Sequence, residues 1–256
     1  LYQRAIVRPP GSSFPDGLTT VDLGRPDLAV ARAQHAAYCE ALERCGLAVT
    51  RLPEDSGFPD STFVEDTAVL VGERAILARP GAPSRAGEVA AIRGTLSGFY
   101  ETLESIAEPG TLDGGDVCEA GEVVLIGISR RTNEEGARQL AAIYAEEGFT
   151  PRTMDIRGLE EILHLKSGVS WLGPRRILAI DALAEHPALR DFEVVRVESS
   201  EAYAANSILV NGRLLLAAGH PRIEGGLRSA GYDIVPLEMS EFQKMDGGLS
   251  CLSLRF

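Results

Sequence analysis

Four stretches of this 256-residue chain share one local pattern, and that repeat narrows the possible folds more than any other feature. They are EDTAVLVGERAILARPGAPSR (65–85), GDVCEAGEVVLIGISRRTN (115–133), KSGVSWLGPRRILAID (166–181) and NSILVNGRLLLAAGHPR (206–222). Each reads as a short apolar strand, a turn carrying glycine (Gly72, Gly121, Gly173, Gly212) and a second apolar strand, the pattern of a β-hairpin. The turn glycines are 49, 52 and 39 residues apart. Periods of that length point to a ring or an array of similar units.

Helical spacing of apolar residues follows most of the hairpins, over Glu88 to Glu108, Asn133 to Phe149 and Pro221 to Tyr232. The third unit, with a shorter piece from Ala182 to Phe192, is less regular. A further strand such as TPRTMDI or YDIVPLE comes after the helix, so the unit is roughly ββαβ. Neither chain end holds a whole hairpin. Arg4 to Arg8 offers one strand and Leu249 to Phe256 another, and pairing them would build a fifth unit and remove an exposed sheet edge. An ordinary α/β sheet with similar hairpins would share the local pattern but not the closure.

In a ring, equivalent positions converge on the axis. Asp66 lies six residues before its turn glycine, Asp113 and Asp116 eight and five before theirs, His164 nine and Asn206 six. Arg85 lies thirteen residues after its glycine, and Arg131 and Arg222 each lie ten after theirs. Acids, one histidine and a cysteine gathered at one point would be an unusual core and a reasonable active site. Taken singly, each has a plainer reading. Glu65 and Asp66 could begin a strand at a solvated edge, and Asp113-Gly-Gly-Asp116 could be a turn. His164 between leucines could be a half-buried structural residue, and Cys251 in MDGGLSCLSLRF a small hydrophobe that begins a strand. The set, one member from each unit, is what raises all of them.

Composition adds mainly exclusions. The net charge of −12 weighs against a nucleic-acid partner and is compatible with a cationic one. No window approaches the ~18 apolar residues of a membrane span, and the start LYQRAIVRPP has no signal-peptide core, so a cytoplasmic protein without membrane contact is expected. Cys39, Cys45, Cys118 and Cys251 form no CxxC pair and no finger-like spacing with His35, His164, His186 or His220, which excludes a structural zinc pattern. Cys39 and Cys45 belong to an amphipathic helix between Asp27 and Gly46, and His35, His186 and His220 read as structural.

FPDSTFVEDTAVL, ARPGAPSR, LDGGDV, SRRTN, LHLKSG and KMDGGLSC, in that order, closely resemble the signature segments of the dimethylarginine dimethylaminohydrolase family, within the wider guanidine-modifying superfamily. The resemblance extends over essentially the whole chain. It implies one catalytic domain over residues 1–256, a five-bladed α/β propeller (pentein) of ββαβ units closed by the terminal strands. It implies hydrolysis of Nω-methylated arginine to citrulline and methylamine or dimethylamine. Carried over by the motifs, Cys251 is the nucleophile, His164 the general acid and base, and Asp113 the carboxylate supporting it. Asp66 and Asp246 hold the guanidinium, and Arg85 and Arg131 bind the α-carboxylate. Asp60, Glu65 and the backbone carbonyls of Leu18 and Met245 complete the contacts. No metal or cofactor is implied; zinc near Cys251 and His164 would be an inhibitory or regulatory ligand. A homo-oligomer is admitted.

The chemistry suits these residue types. Positive charge spread over three nitrogens makes the guanidinium carbon a poor electrophile, so attack needs a thiolate. Fixed acids orient the planar cation, yet the same acids oppose the thiolate and should raise the thiol pKa. The expected resolution is that the bound cation, with His164, helps to ionise the nucleophile. The segment Pro9 to Thr20, rich in proline and glycine, is expected to act as a lid over the amino-acid end of the substrate. The nearest rival enzyme is an arginine deiminase. Such enzymes are typically longer and carry an acid two residues after the catalytic histidine, where this chain has Lys166. The rival from another class is a protein that binds methylarginine without turnover, which the intact Cys251, His164 and Asp113 disfavour.

Overall fold

The computed structural model describes residues 1–256, folded into five three-stranded sheets. The chain enters through β1 (Arg4–Val7), crosses over by α1 (Leu28–Arg44) and returns as β2 (Ala48–Arg51), parallel to β1. The second sheet comprises the antiparallel hairpin β3 (Ala68–Val71) and β4 (Arg74–Leu77), then α2 (Glu88–Leu96) and the parallel strand β5 (Thr102–Ser105). The third repeats it with β6 (Val117–Ala120), β7 (Val123–Ile128), α3 (Glu134–Glu146) and β8 (Thr150–Asp155). A single turn, α4 (Leu165–Gly168), leads into β9 (Val169–Gly173), β10 (Arg176–Ile180) and β11 (Glu193–Val197). Only a short 3-10 turn at Pro187–Leu189 bridges that crossover, the irregularity the sequence showed. The fifth sheet has β12 (Ile208–Val210), β13 (Arg213–Ala217), α5 (Pro221–Ser229) and β14 (Asp233–Leu237). After α6 (Ser240–Gln243) the chain ends in β15 (Leu254–Arg255), antiparallel to β1.

The last strand therefore completes the first sheet, making β15-β1-α1-β2 the fifth ββαβ unit. The Phe256 carbonyl accepts from Gln3 N and Arg4 N at 2.8 and 2.7 Å, so the two chain ends hold each other. The middle strands β4, β7, β10 and β13 are buried almost throughout, which explains their unbroken apolar runs AIL, VLI, ILAI and LLLA. The parallel strands β2, β5, β8 and β11 are largely half-buried or exposed. Helix α1 starts at Asp27, whose side chain accepts from Ala29 N and Val30 N, and buries Ala31, Gln34, His35, Tyr38, Leu42 at helical spacing.

All four repeat glycines have positive φ, between 55° and 116°, which only glycine adopts without cost. The fourth hairpin uses Asn211-Gly212 with φ of 50° and 88°, a type I′ turn. The Asn211 side chain also ties that turn to the first sheet. It accepts from Tyr2 N at 2.9 Å and donates to the carbonyls of Tyr2 and Cys45 at 2.8 and 3.0 Å.

Two readings need correction. The helical pattern from Glu88 to Glu108 is a helix only as far as Leu96; β5 takes Thr102–Ser105, because each crossover must return a parallel strand. Cys251 does not begin a strand. It sits in a 3-10 turn, Ser250–Leu252, and the strand starts at Leu254, because the chain must bend from the axis before it can pair with β1. No helix is long and apolar enough to cross a membrane.

Candidate active site

At one end of the ring axis, turns from successive units bring their polar residues together. Asp66 comes from the 3-10 turn Val64–Thr67, Asp113 immediately precedes the turn Gly114–Asp116, and His164 immediately precedes α4. His164 Nε2 lies 3.0 Å from Asp113 Oδ2 and 4.0 Å from Asp66 Oδ1, and all three side chains are buried. Gly115 permits this approach. A Cβ there would lie 2.8 Å from both the His164 ring and Asp66 Oδ1, and its N–H donates to the same Asp66 oxygen at 2.9 Å. Asp113 is oriented from its other oxygen by Gly81 N–H at 2.9 Å.

Asp116 stands behind the site rather than in it. It accepts from Ser129 Oγ and Thr132 Oγ1, both at 2.6 Å, and from Leu165 N at 2.9 Å, which fixes the backbone next to His164. Burial raises its carboxyl to about 6 despite the opposing His164 charge and these bonds. For His164, burial alone would lower the pKa, but the charges of Asp66, Asp113 and Asp116 and the Asp113 bond outweigh it and hold the ring up at about 9. Asp66 is the reverse case. Burial would raise it, yet His164 and Arg85 hold it down at about 2.

Cys251 shares one narrow cavity of about 20 Å³ with Leu18, Asp60, Asp66, Arg85, Arg131, His164, Met245 and Asp246. Its sulfur receives the Gly248 N–H at 3.4 Å. The paired glycines before it are required by close packing, since a Cβ at Gly247 would meet the Phe63 ring at 2.2 Å and one at Gly248 the Asn206 amide at 2.4 Å. The Cys251 thiol is pushed up to about 12, first by burial and then by Glu65 and Asp66, with Gly248 N–H and Ser250 opposing. The acids do act as the sequence suggested, but burial leads.

One predicted contact is placed differently from the expectation. Glu65 does not line the Cys251 cavity. Its carboxylate takes Lys166 Nζ at 2.6 Å, Ser250 Oγ at 2.8 Å and Arg255 Nη2 at 3.3 Å, and it faces a separate cavity of about 130 Å³. Its neighbour Asp66 lines the Cys251 cavity instead. Arg85 lines the site, but Asp66 at 2.5 Å, Glu88 at 2.8 Å and the carbonyls of Phe63 and Asp60 take most of its donors, leaving one Nη1 N–H. Arg131 is the opposite, with a buried Nη1 that has no partner. The third repeat arginine, Arg222, is exposed, pairs with Glu198, donates its backbone N–H to Glu201 Oε1 at 3.0 Å, and does not line the cavity.

The segment expected to be a lid lies against the cavity, with Leu18 in its lining. Its Phe14 is buried against Phe63 and Phe242, Leu18 N donates to Asp60 Oδ1 at 3.0 Å, and Thr20 binds Asp246 Oδ2 through N at 2.5 Å and Oγ1 at 3.0 Å. Asp246 itself has φ of 56°, a strained conformation for a non-glycine residue. A cavity of about 20 Å³ holds about one water, so an amino acid can enter only if lining residues move apart.

Asp66, Asp113 and His164 have ligand atoms within 4.8 Å of one another, close enough to bind a metal. Their bonds to Arg85, Gly81 N–H and each other already use those atoms, and the Arg85 charge opposes a second cation. Sequence reading missed Glu88, Phe63 and Leu163. Glu88 lies three residues after Arg85 in the first turn of α2, a spacing that pairs charges, whereas the two apolar residues leave no signal beyond burial.

No protein-family model matches the chain. The N(G),N(G)-dimethylarginine dimethylaminohydrolase of Pseudomonas aeruginosa is 42% identical over 257 aligned residues, covering 100% of both chains. The enzyme of the same description from Streptomyces coelicolor is 34% identical, covering 99% of this chain and 96% of its own. A solved structure of the Pseudomonas aeruginosa enzyme, a cysteine-to-serine variant complexed with citrulline, superposes with a TM-score of 0.96 at 42% identity over the whole of both chains.

Proposed function

The chain belongs to the dimethylarginine dimethylaminohydrolase family, and from that premise we propose that it hydrolyses Nω-methylated arginine to citrulline and a methylated amine, using Cys251 as nucleophile. The observation that carries this reading is the single cavity shared by a buried thiol, a histidine with raised pKa and two flanking acids, with an unpartnered arginine at its wall.

The α-carboxylate of the substrate is received by Arg131, whose buried Nη1 seeks an acceptor, and by the remaining Nη1 N–H of Arg85. Asp66 and Asp246 receive the guanidinium, and Asp60 keeps the Leu18 backbone over the amino-acid end. Glu65 acts from beneath, through Ser250 and its charge, rather than by touching substrate.

With the thiol at about 12 and His164 at about 9, the resting pair is a neutral thiol and an imidazolium. The arriving cation lowers the thiol pKa by compensating Glu65 and Asp66, and the Cys251 proton passes to solvent before the segment closes. The sulfur adds to the guanidinium carbon. His164 gives its proton to the methylated nitrogen, the C–N bond breaks, and a covalent S-alkylthiouronium remains. Neutral His164 then takes one proton from water as its oxygen adds to the same carbon; the C–S bond breaks, the added oxygen's remaining proton passes to the sulfur, and citrulline leaves a neutral thiol and an imidazolium. Asp113 holds the imidazole for both transfers, and the closed segment over the cavity keeps bulk water from the first step.

Cys251→Ser tests the reading: citrulline formation from dimethylarginine should disappear while folding is kept. Near-normal citrulline production by that variant would overturn it.

A further inference from the structure

Asn206 occupies the axial position of the fourth hairpin, six residues before its turn glycine, as Asp66 does in the first. Its side chain is buried, yet the reaction scheme above gives it no part. Its two ends face the nucleophile's turn. Oδ1 accepts from Ser250 N at 2.9 Å, and Nδ2 points to Cys251 Sγ at 4.0 Å, its one hydrogen-bond partner. Gly248 is shaped around it, for a Cβ there would collide with the Asn206 amide.

The donors around the sulfur are few. Gly248 N–H lies at 3.4 Å, and Ser250 Oγ lies at 3.9 Å but gives its proton to Glu65 Oε2 at 2.8 Å. Asn206 is therefore the uncharged side-chain donor left for the sulfur. We propose that Asn206 supports negative charge on Cys251 Sγ through Nδ2 while its carbonyl oxygen seats the Ser250–Leu252 turn. This deepens the proposed function and rests on Cys251 being the nucleophile. At 4.0 Å the contact with a neutral thiol is long; it shortens as charge gathers on sulfur, because a charged acceptor strengthens and shortens the bond. The ionisable groups around the sulfur are Glu65 and Asp66 from one turn, His164 ahead of α4, Tyr203 from the turn Ser199–Ala205, and Asp246 at the rim.

The test is the pH dependence of iodoacetamide alkylation, mapped to Cys251 by mass spectrometry, with steady-state kinetics on dimethylarginine. Asn206→Ala should raise the alkylation midpoint by about one pH unit and lower kcat about tenfold with KM within about twofold. Asn206→Asp keeps the acceptor for Ser250 N and should move the midpoint further upward, which serves the test if the alanine variant does not fold. A folded variant whose alkylation profile is that of the wild type overturns the proposal, as does a change confined to KM and melting temperature. Cys251→Ser run alongside separates the two levels. If it retains turnover, the nucleophile assignment fails. If it is inactive while the Asn206 variants match wild type, only the role of Asn206 fails.

Discussion

Burial keeps the Cys251 thiol at about 12, with Glu65 and Asp66 adding to it, so the proposed nucleophile is protonated in the empty site. The expected outcome is that a guanidinium ligand lowers the midpoint of Cys251 alkylation; a midpoint unmoved by saturating ligand would contradict it. The support of His164 by Asp113 is a second residue-scale prediction. Asp113→Asn should lower kcat about 100-fold, measured by citrulline formation, because the ring loses its charged partner and its fixed orientation. At this scale the sequence is most legible where polar residues recur at a similar place, just ahead of each unit's first strand. Asp66, Asp113, His164 and Cys251 could be gathered because each opens a unit, and a short turn carries its side chain to the axis. Glu65 lies outside the Cys251 cavity, held by Lys166, Ser250 and Arg255, which are 101, 185 and 190 residues away and leave no local signal in the sequence.

Among the elements, the turns carry the consequences. Asn211 adopts a left-handed conformation and makes three backbone bonds that join the fourth hairpin to the first sheet. Asn211→Ala should cost about 2 kcal/mol in urea unfolding, since it removes those bonds and strains the turn. The segment over the cavity depends on exposed bonds from Thr20 to Asp246. Thr20→Ala should raise KM several-fold with little change in melting temperature, because the lost bond acts on closure rather than on the core. The hairpins were plain in sequence because their glycines mark turns that need positive φ. Strand β5 was hidden, since TLES alternates weakly and continues a helical pattern.

For the whole molecule, closure by β15 and β1 makes the catalytic turn and the first strand interdependent, as the terminal half-hairpins suggested. The cluster on the axis also couples stability to pH. His164 is held at about 9 against 6.5 in an open chain, so its contribution is fully present below about 6.5 and is lost as pH rises through about 9. Asp116 and Glu88, raised to about 6 and about 7, change protonation below that alkaline range. Wild-type melting temperature should therefore fall between about pH 7 and pH 9.5, and His164→Gln should show a smaller fall over the same range.

Hydrolysis of methylated arginine through Cys251 is tested by steady-state citrulline formation from dimethylarginine, monomethylarginine and arginine side by side, with Cys251→Ser as control. Turnover of the methylated substrates is expected, with arginine slower by about tenfold or more, and none by the variant. Arginine as the best substrate, or citrulline formed by Cys251→Ser, would contradict it.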